Sequence, residues 1–326
     1  KIRHKHTNNK LLRTYFRKRF IVSFFSHTVM YSMKRTPSVK LNNGINMPLF
    51  GTGSTHNQGG IDVESLVLAF QNGVRLVDTA KRYGSERTIR RAVKEYRKRK
   101  RMDQDNDDKI EEEHIFLSSK LWPGDVCGRG SVKRAFEKSL DELGVKTLDL
   151  YLVHWPGLST HGDPDEARRN VWMEMEELYK SGHVRAIGVS NFETKHFRSI
   201  EKTWNVVPAV NQIEFNPFQN PKELREYCKR QSIHVQGYCP FGKGEVFRDR
   251  RIFDISKRMG MPISHLIILW HIQNGVTCIP KSNDAKHILE NTSYLSSSSK
   301  FDSKAVSALN SMHCNLRVTW DPTHVP

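Results

Sequence analysis

The sequence has little of what would make it a disulfide scaffold, a zinc protein or a membrane protein. Its five cysteines, Cys127, Cys228, Cys239, Cys278 and Cys314, are odd in number, far apart and without a CxxC pair. That argues against a disulfide framework or a metal site and for a reducing compartment. No apolar run approaches the roughly 18 residues that a membrane span needs, so no spanning helix is expected. No GxGxxG follows a first strand, which weighs against a Rossmann sheet. Residues 1–36 contain no Asp or Glu but ten Lys or Arg. They hold +10 of the formal net charge of +17, which leaves +7 for residues 37–326.

An acid-free basic segment of this kind has three readings. It can be sequence upstream of a start at Met30 or Met33, a mitochondrial transit peptide, or a polyanion-binding arm. It is expected to form a disordered tail outside the folded domain, 37–326. The expected location is cytoplasmic, or mitochondrial where the tail acts as a transit peptide.

The rest of the chain has ample material for a core: hydrophobic residues make up 37% and aromatic residues 10% of the 326. The stretch SVKLNNGINMPLF carries a hairpin signal at Asn42-Asn43-Gly44. Eight strand-like runs then follow: MPLFGTG, VRLVDTA, HIFLSSK, LDLYLVH, VRAIGVS, AVNQIEF, IHVQGY and VTCIP. Amphipathic stretches separate them. DVESLVLAFQNG ends on Gly73, a natural helix stop. SVKRAFEKSLDELGV places Val132, Phe136, Leu140 and Leu143 at helical spacing. Near-continuous apolar strands joined by crossover helices mean a parallel sheet covered on both faces. Eight such units imply a (β/α)8 TIM barrel, with the N-terminal hairpin and two extra helices at 249–259 and 262–274. The charged run RKRKRMDQDNDDKIEEE, residues 97–113, reads as a solvated, partly self-paired loop.

Barrel enzymes place their chemistry at the C-terminal ends of the strands. Polar residues stand there repeatedly: Asp78 and the following Tyr83, Lys120, His154, Ser190-Asn191, Gln212, Tyr238, and Lys281-Ser282. Singly, each has an ordinary explanation. Asp78 can cap a helix, Tyr83 and His154 can sit in the core, and Lys120 can be a surface lysine. Jointly they meet at one face. A phenol titrates near 10, and a neighbouring ammonium favours its ionised form. Asp78, Lys120 and Tyr83 thus read as a relay that makes Tyr83 a proton donor, while a neutral His154 orients a carbonyl oxygen. That set suits carbonyl reduction, with acid at oxygen while hydride reaches carbon.

The motifs DTAKRYGSE, LSSKLWPGD, LDLYLVHWP, RAIGVSNFE, VNQIEFNPF, GYCPFGKGE and IPKS…HILEN resemble, in order and over about residues 37–326, the aldo-keto reductase superfamily. The resemblance is nearest to its short-tailed, NADPH-dependent members acting on aldehydes, ketones and prostaglandin-like carbonyls. It implies a catalytic set at Asp78, Tyr83, Lys120 and His154. It also implies NADPH/NADP+ as cofactor, with Ser190, Asn191 and Gln212 on the nicotinamide carboxamide and Tyr238 stacked on its ring. Lys281 and Ser282 match the clamp on the adenosine 2′-phosphate, and Glu290 and Asn291 the adenine contacts. His287 stands where the clamp usually has Arg; it cannot fork to phosphate, so the preference for NADPH over NADH should be weaker than usual. Cys239, Phe241 and Ser85 replace common Ser, Leu and Asn.

Trp122 and Trp155 are expected to wall the substrate pocket, Thr55 to widen it where many members have Trp, and Arg82 to offer a cation. RVTWDPTHVP should close the pocket loosely. The expected partner is a small carbonyl compound. No membrane partner is expected, and nucleic acid is not expected either, because the positive charge sits in the tail and in 87–101 without aromatic interleaving suited to base stacking. A monomer is the expectation by analogy. The alternative is a non-catalytic, nucleotide-sensing or partner-binding member of the same fold.

Overall fold

The computed structural model describes residues 36–55, 60–102, 113–157, 162–294 and 302–326. Apart from Thr36, the basic tail of 1–36 falls outside the described residues, as does 103–112 of the charged run. The hairpin forms from β1 (Ser38–Lys40) and β2 (Asn46–Pro48), paired antiparallel. Its turn is closed by Leu41 N–H to the Ile45 carbonyl at 2.8 Å, with Gly44 at φ 87° where only glycine sits without strain.

The eight expected strands follow as β3 (Thr52–Gly53), β4 (Leu76–Asp78), β5 (Phe116–Leu121), β6 (Leu150–Val153), β7 (Ile187–Ser190), β8 (Val210–Glu214), β9 (His234–Tyr238) and β10 (Thr277–Cys278). They pair in chain order, all parallel. The sheet closes on itself where Gly51 N–H meets the Cys278 carbonyl at 3.0 Å and Cys278 N–H meets the Leu49 carbonyl at 2.9 Å. Close packing of the strands needs glycine at one point: a Cβ on Gly188 would lie 2.4 Å from the Val210 carbonyl oxygen.

The helices, in chain order, are α1 (Val63–Gln71), α2 (Glu86–Met102), α3 (Ser131–Leu143), α4 (Pro164–Lys180), α5 (Thr194–Glu201), α6 (Lys222–Arg230), α7 (Glu245–Arg248), α8 (Arg250–Met259), α9 (Ile263–Gln273), α10 (Ala285–Ser293) and α11 (Ser303–Asn310). Their apolar stripes bury Val67, Phe70, Ile89, Phe136 and Leu140 against the outside of the sheet. Inside the barrel, Leu76, Phe116, Leu150 and Val210 pack with Leu41 and Met47 of the hairpin, which plugs the N-terminal end. Asn43 fastens that plug by donating to the Arg185 carbonyl at 2.9 Å. The opposite end is left for polar groups.

Two expectations change. Residues 97–102 are not loop: α2 runs on to Met102, because Arg99 bonds Glu95 one turn back and Glu64 of α1. The self-pairing is real in part, since Lys100 reaches Glu113 at 3.4 Å, although Glu113 also binds Arg75 from outside the run. The C-terminal segment is tied down rather than loose. Glu214 accepts from Val318 N–H at 2.8 Å and Thr319 N–H at 3.1 Å. Lys195 donates to the Thr323 carbonyl at 2.8 Å and Arg168 to the Pro326 carbonyl at 2.7 Å.

His196 is part of that anchorage. Its Nδ1 accepts the Glu193 N–H at 2.9 Å and its Nε2 lies 3.0 Å from the Val325 carbonyl. A neutral ring carrying its proton on Nε2 satisfies both; a charged ring cannot accept at Nδ1. Burial pulls the pKa from the ordinary 6.5 to about 4, against the opposing pull of the Val325 carbonyl. The unfolded chain takes up the proton first as pH falls. The stability from the neutral ring is therefore full above about 6.5 and is lost as pH falls towards about 4. Between pH 7 and pH 5 the loss from this group should be about 2 kcal/mol. Urea-unfolding curves at those two pH values should show it, and His196→Gln should lose less. Equal pH dependence in the two proteins would exclude His196 as its source.

Candidate active site

Strand order brings Asp78, Lys120, His154, Ser190 and Gln212 to one end of the barrel. Asp78 is the last residue of β4 and Lys120 lies near the end of β5, so both point into the mouth from adjacent strands. Lys120 is fully buried. Its ammonium donates to Asp78 Oδ2 at 2.5 Å and to the Thr79 carbonyl at 2.8 Å. The other carboxylate oxygen, Oδ1, accepts from Gln212 Nε2 at 2.8 Å and Ser118 Oγ at 3.1 Å. Asp78 is therefore no helix cap. Burial pulls the Lys120 pKa down, and the Asp78 charge holds it up against that.

Tyr83 arrives on a single 3-10 turn, Lys81–Tyr83, that stops at Gly84 with φ 66°. Its hydroxyl lies 3.3 Å from His154 Nε2, and Lys120 Nζ sits 5.0 Å from the centre of its ring. The following Ser85 fixes this turn: its hydroxyl bonds Thr79 Oγ1 at 2.8 Å and Ser54 Oγ at 2.9 Å. Burial pushes the His154 pKa well below its ordinary value, with Lys120 and Arg82 adding to the effect, so the imidazole is neutral at neutral pH.

The phenol behaves differently from the relay reading. Burial and then the Asp78 charge push Tyr83 well above 10, not below it. The reason is local. The phenol is shut off from water, and the Asp78 carboxylate repels a phenolate formed there. Tyr83 rests fully protonated.

The candidate nicotinamide residues form one hydrogen-bonded group. Asn191 Nδ2 donates to the His154 carbonyl at 3.0 Å and to Ser190 Oγ at 3.1 Å. Ser190 Oγ donates to the Gln212 carbonyl at 2.9 Å, and Tyr238 OH donates to Asn191 Oδ1 at 2.7 Å. Asn191 at φ 62° and Cys239 at φ 49° are left-handed non-glycine residues at these strand ends, a backbone strain that clusters at functional sites.

Lys281 and Ser282 lie half-buried on the loop after β10, and His287 is exposed in the first turn of α10. Asn291 is buried, and the Glu290 carboxylate is taken by Ser264 of α9. Thr55 is half-buried, just past β3.

Trp122 lies edge-on to His154 at 5.4 Å between ring centres. Trp320, on the C-terminal segment, reaches Trp155 at 5.7 Å and Trp122 at 6.3 Å. It completes an aromatic rim that reading the strand ends alone misses. Its signal was the one aromatic ring, besides His324, in the stretch RVTWDPTHVP. Thr319 beside it meets the Tyr238 hydroxyl at 3.1 Å. A groove of about 1010 Å³ between α3 and α4, lined by Phe136, Leu140, Val171 and Glu174, lies on the outside of the barrel and shares no residue with this mouth.

The comparisons with known proteins agree with this architecture. Residues 49–313 match the model of the Aldo/keto reductase family. The glyoxal reductase of Bacillus subtilis is 38% identical over 261 residues, covering 80% of this chain and 87% of its own. The yeast aldehyde reductase YPR1, from Saccharomyces cerevisiae, is 32% identical over 306 residues, covering 86% and 93%. A silkworm aldo-keto reductase, solved as a complex with NADPH, superposes with a TM-score of 0.76 at 26% identity, covering 88% of this chain and 90% of that one. The barrel with its polar mouth, the matched span and these relatives together show that the chain belongs to the aldo/keto reductase family.

Proposed function

We propose that the protein reduces aldehydes and ketones to alcohols with NADPH, Tyr83 supplying the proton. The observation that carries the reading is the approach of the Tyr83 hydroxyl to His154 Nε2 at 3.3 Å, above a buried Lys120–Asp78 pair. The residues fit the cofactor. Ser190, Asn191 and Gln212 offer the mixed donors and acceptors that a carboxamide needs. Lys281 is partly desolvated and, among the described residues, meets no carboxylate at ion-pair distance, which suits a phosphate. When bound, the reduced nicotinamide supplies hydride to the carbonyl carbon.

The chain's own groups do the rest. The neutral His154 and the protonated Tyr83 both aim at one point, where a carbonyl oxygen is held and oriented. As negative charge grows on that oxygen, the Tyr83 O–H bond breaks and its proton moves there. The phenolate left behind faces the Lys120 ammonium, which stabilises it, while Asp78 keeps that ammonium in place. The trio thus acts on the transition state rather than by ionising Tyr83 at rest. The small-molecule partner is a carbonyl compound, within an aromatic rim of Trp122, Trp155 and Trp320.

Tyr83→Phe should lower turnover of 4-nitrobenzaldehyde by about 10² to 10⁴ while NADPH still quenches tryptophan fluorescence. Full activity in that variant would remove Tyr83 from the reaction. No activity in the unaltered protein, with nucleotide still bound, would favour the nucleotide-sensing alternative.

The cofactor clamp gives a second test. Competing titrations should show NADPH bound more tightly than NADH. His287→Arg should widen that gap by about fivefold, since Arg forks to phosphate and His cannot. Equal affinity for the two nucleotides in the unaltered protein would overturn the preference.

A further inference from the structure

We propose that Arg82 selects carbonyl substrates that also carry a carboxylate, an inference that rests on the reductase reading above. Arg82 directly precedes the candidate acid, Tyr83. The 3-10 turn that delivers Tyr83 leaves Arg82 exposed at the mouth. The other cation of that turn is already used, because Lys81 pairs with Asp125 at 2.6 Å. Arg82 is not: among the described residues no carboxylate lies at ion-pair distance from it.

Its position is nevertheless held. The guanidinium lies over the Trp122 indole, 5.2 Å from the ring centre, and that indole lies edge-on to His154. A guanidinium stacked on a ring keeps its N–H edge free, and that edge matches a carboxylate in two parallel bonds. The rings of Trp155 and Trp320 continue the rim beyond Trp122. A substrate with its carbonyl between Tyr83 and His154, its body against Trp122 and a carboxylate beyond would meet Arg82. A neutral substrate would meet only the rings. Residues 37–326 carry a formal +7, which adds long-range attraction for such an anion.

The experiment compares 4-carboxybenzaldehyde with methyl 4-formylbenzoate, which has nearly the same shape but no charge. The ratio of kcat/KM, acid over ester, should fall about five- to tenfold in Arg82→Gln, mainly through KM for the acid. Arg82→Lys should restore part of it, and added salt should lower the ratio in the unaltered protein more than in Arg82→Gln. A ratio that stays the same in Arg82→Gln overturns the proposal, even if both rates drop.

A second measurement does not need turnover. With NADP+ present, 4-methylbenzoate should quench tryptophan fluorescence saturably, and Arg82→Gln should weaken that binding by a similar factor. If no aldehyde is reduced, the reductase reading fails, and this titration alone decides Arg82. Quenching lost in Arg82→Gln supports it, and quenching absent or unaltered overturns it.

Discussion

The ion pair between Lys120 and Asp78 is the constraint from which the mouth of this barrel is built. Both groups are out of reach of water, at 0% and 3% exposure. Two charges removed from water are tolerable only if each is matched and its remaining hydrogen-bonding capacity is filled. Asp78 meets that demand with Lys120, Ser118 and Gln212, and its backbone carbonyl accepts from Ser54. These partners come from β5, from β8 across the barrel, and from the end of β3. The pair thus ties together strands that are not neighbours and fixes their polar ends at one depth. Tyr83 and His154 then stand over a site that is charged in its parts and close to neutral as a whole.

Much of the fold could be read from the residues. The eight strands formed where short apolar runs ended on polar residues, and β4 shows why. In VRLVDTA, Leu76 and Val77 are held by the core, and Asp78 marks where the barrel opens. The hairpin followed from Asn42-Asn43-Gly44, since a turn with positive φ needs such residues. The helices at 249–259 and 262–274 formed to within a residue at each end, set by Asp249, whose carboxylate caps α8, and by Gly260 and Pro262 between them.

What could not be read depended on distant partners. The end of α2 is an example. RKRKRM looks like a solvated loop by composition, yet Arg99 finds Glu64 on α1, a pairing that only the assembled barrel creates. Trp320 is another, because its role depends on Glu214 and Lys195 drawing the C-terminal segment over the mouth. The electrostatics of Tyr83 is a third. Spacing places an ammonium near the phenol but does not reveal that burial and the Asp78 charge outweigh it. The sign of the shift follows from burial, which is a property of the packed site.

The pairing of Lys120 with Asp78 bears on how the mouth could tell one substrate from another. A free Lys120 would attract every anion to the reacting centre, whatever its shape. Buried and paired with Asp78, Lys120 is not free to dock a substrate carboxylate. His154 is neutral and adds no competing charge. Discrimination by charge must then come from the periphery, where a cation can act on a remote part of the substrate without perturbing the acid. Arg82 has that position: it sits one residue from Tyr83, and its guanidinium lies over the Trp122 ring, 5.2 Å from the centre. In the proposed reaction, chemistry and selectivity fall to adjacent residues of one 3-10 turn.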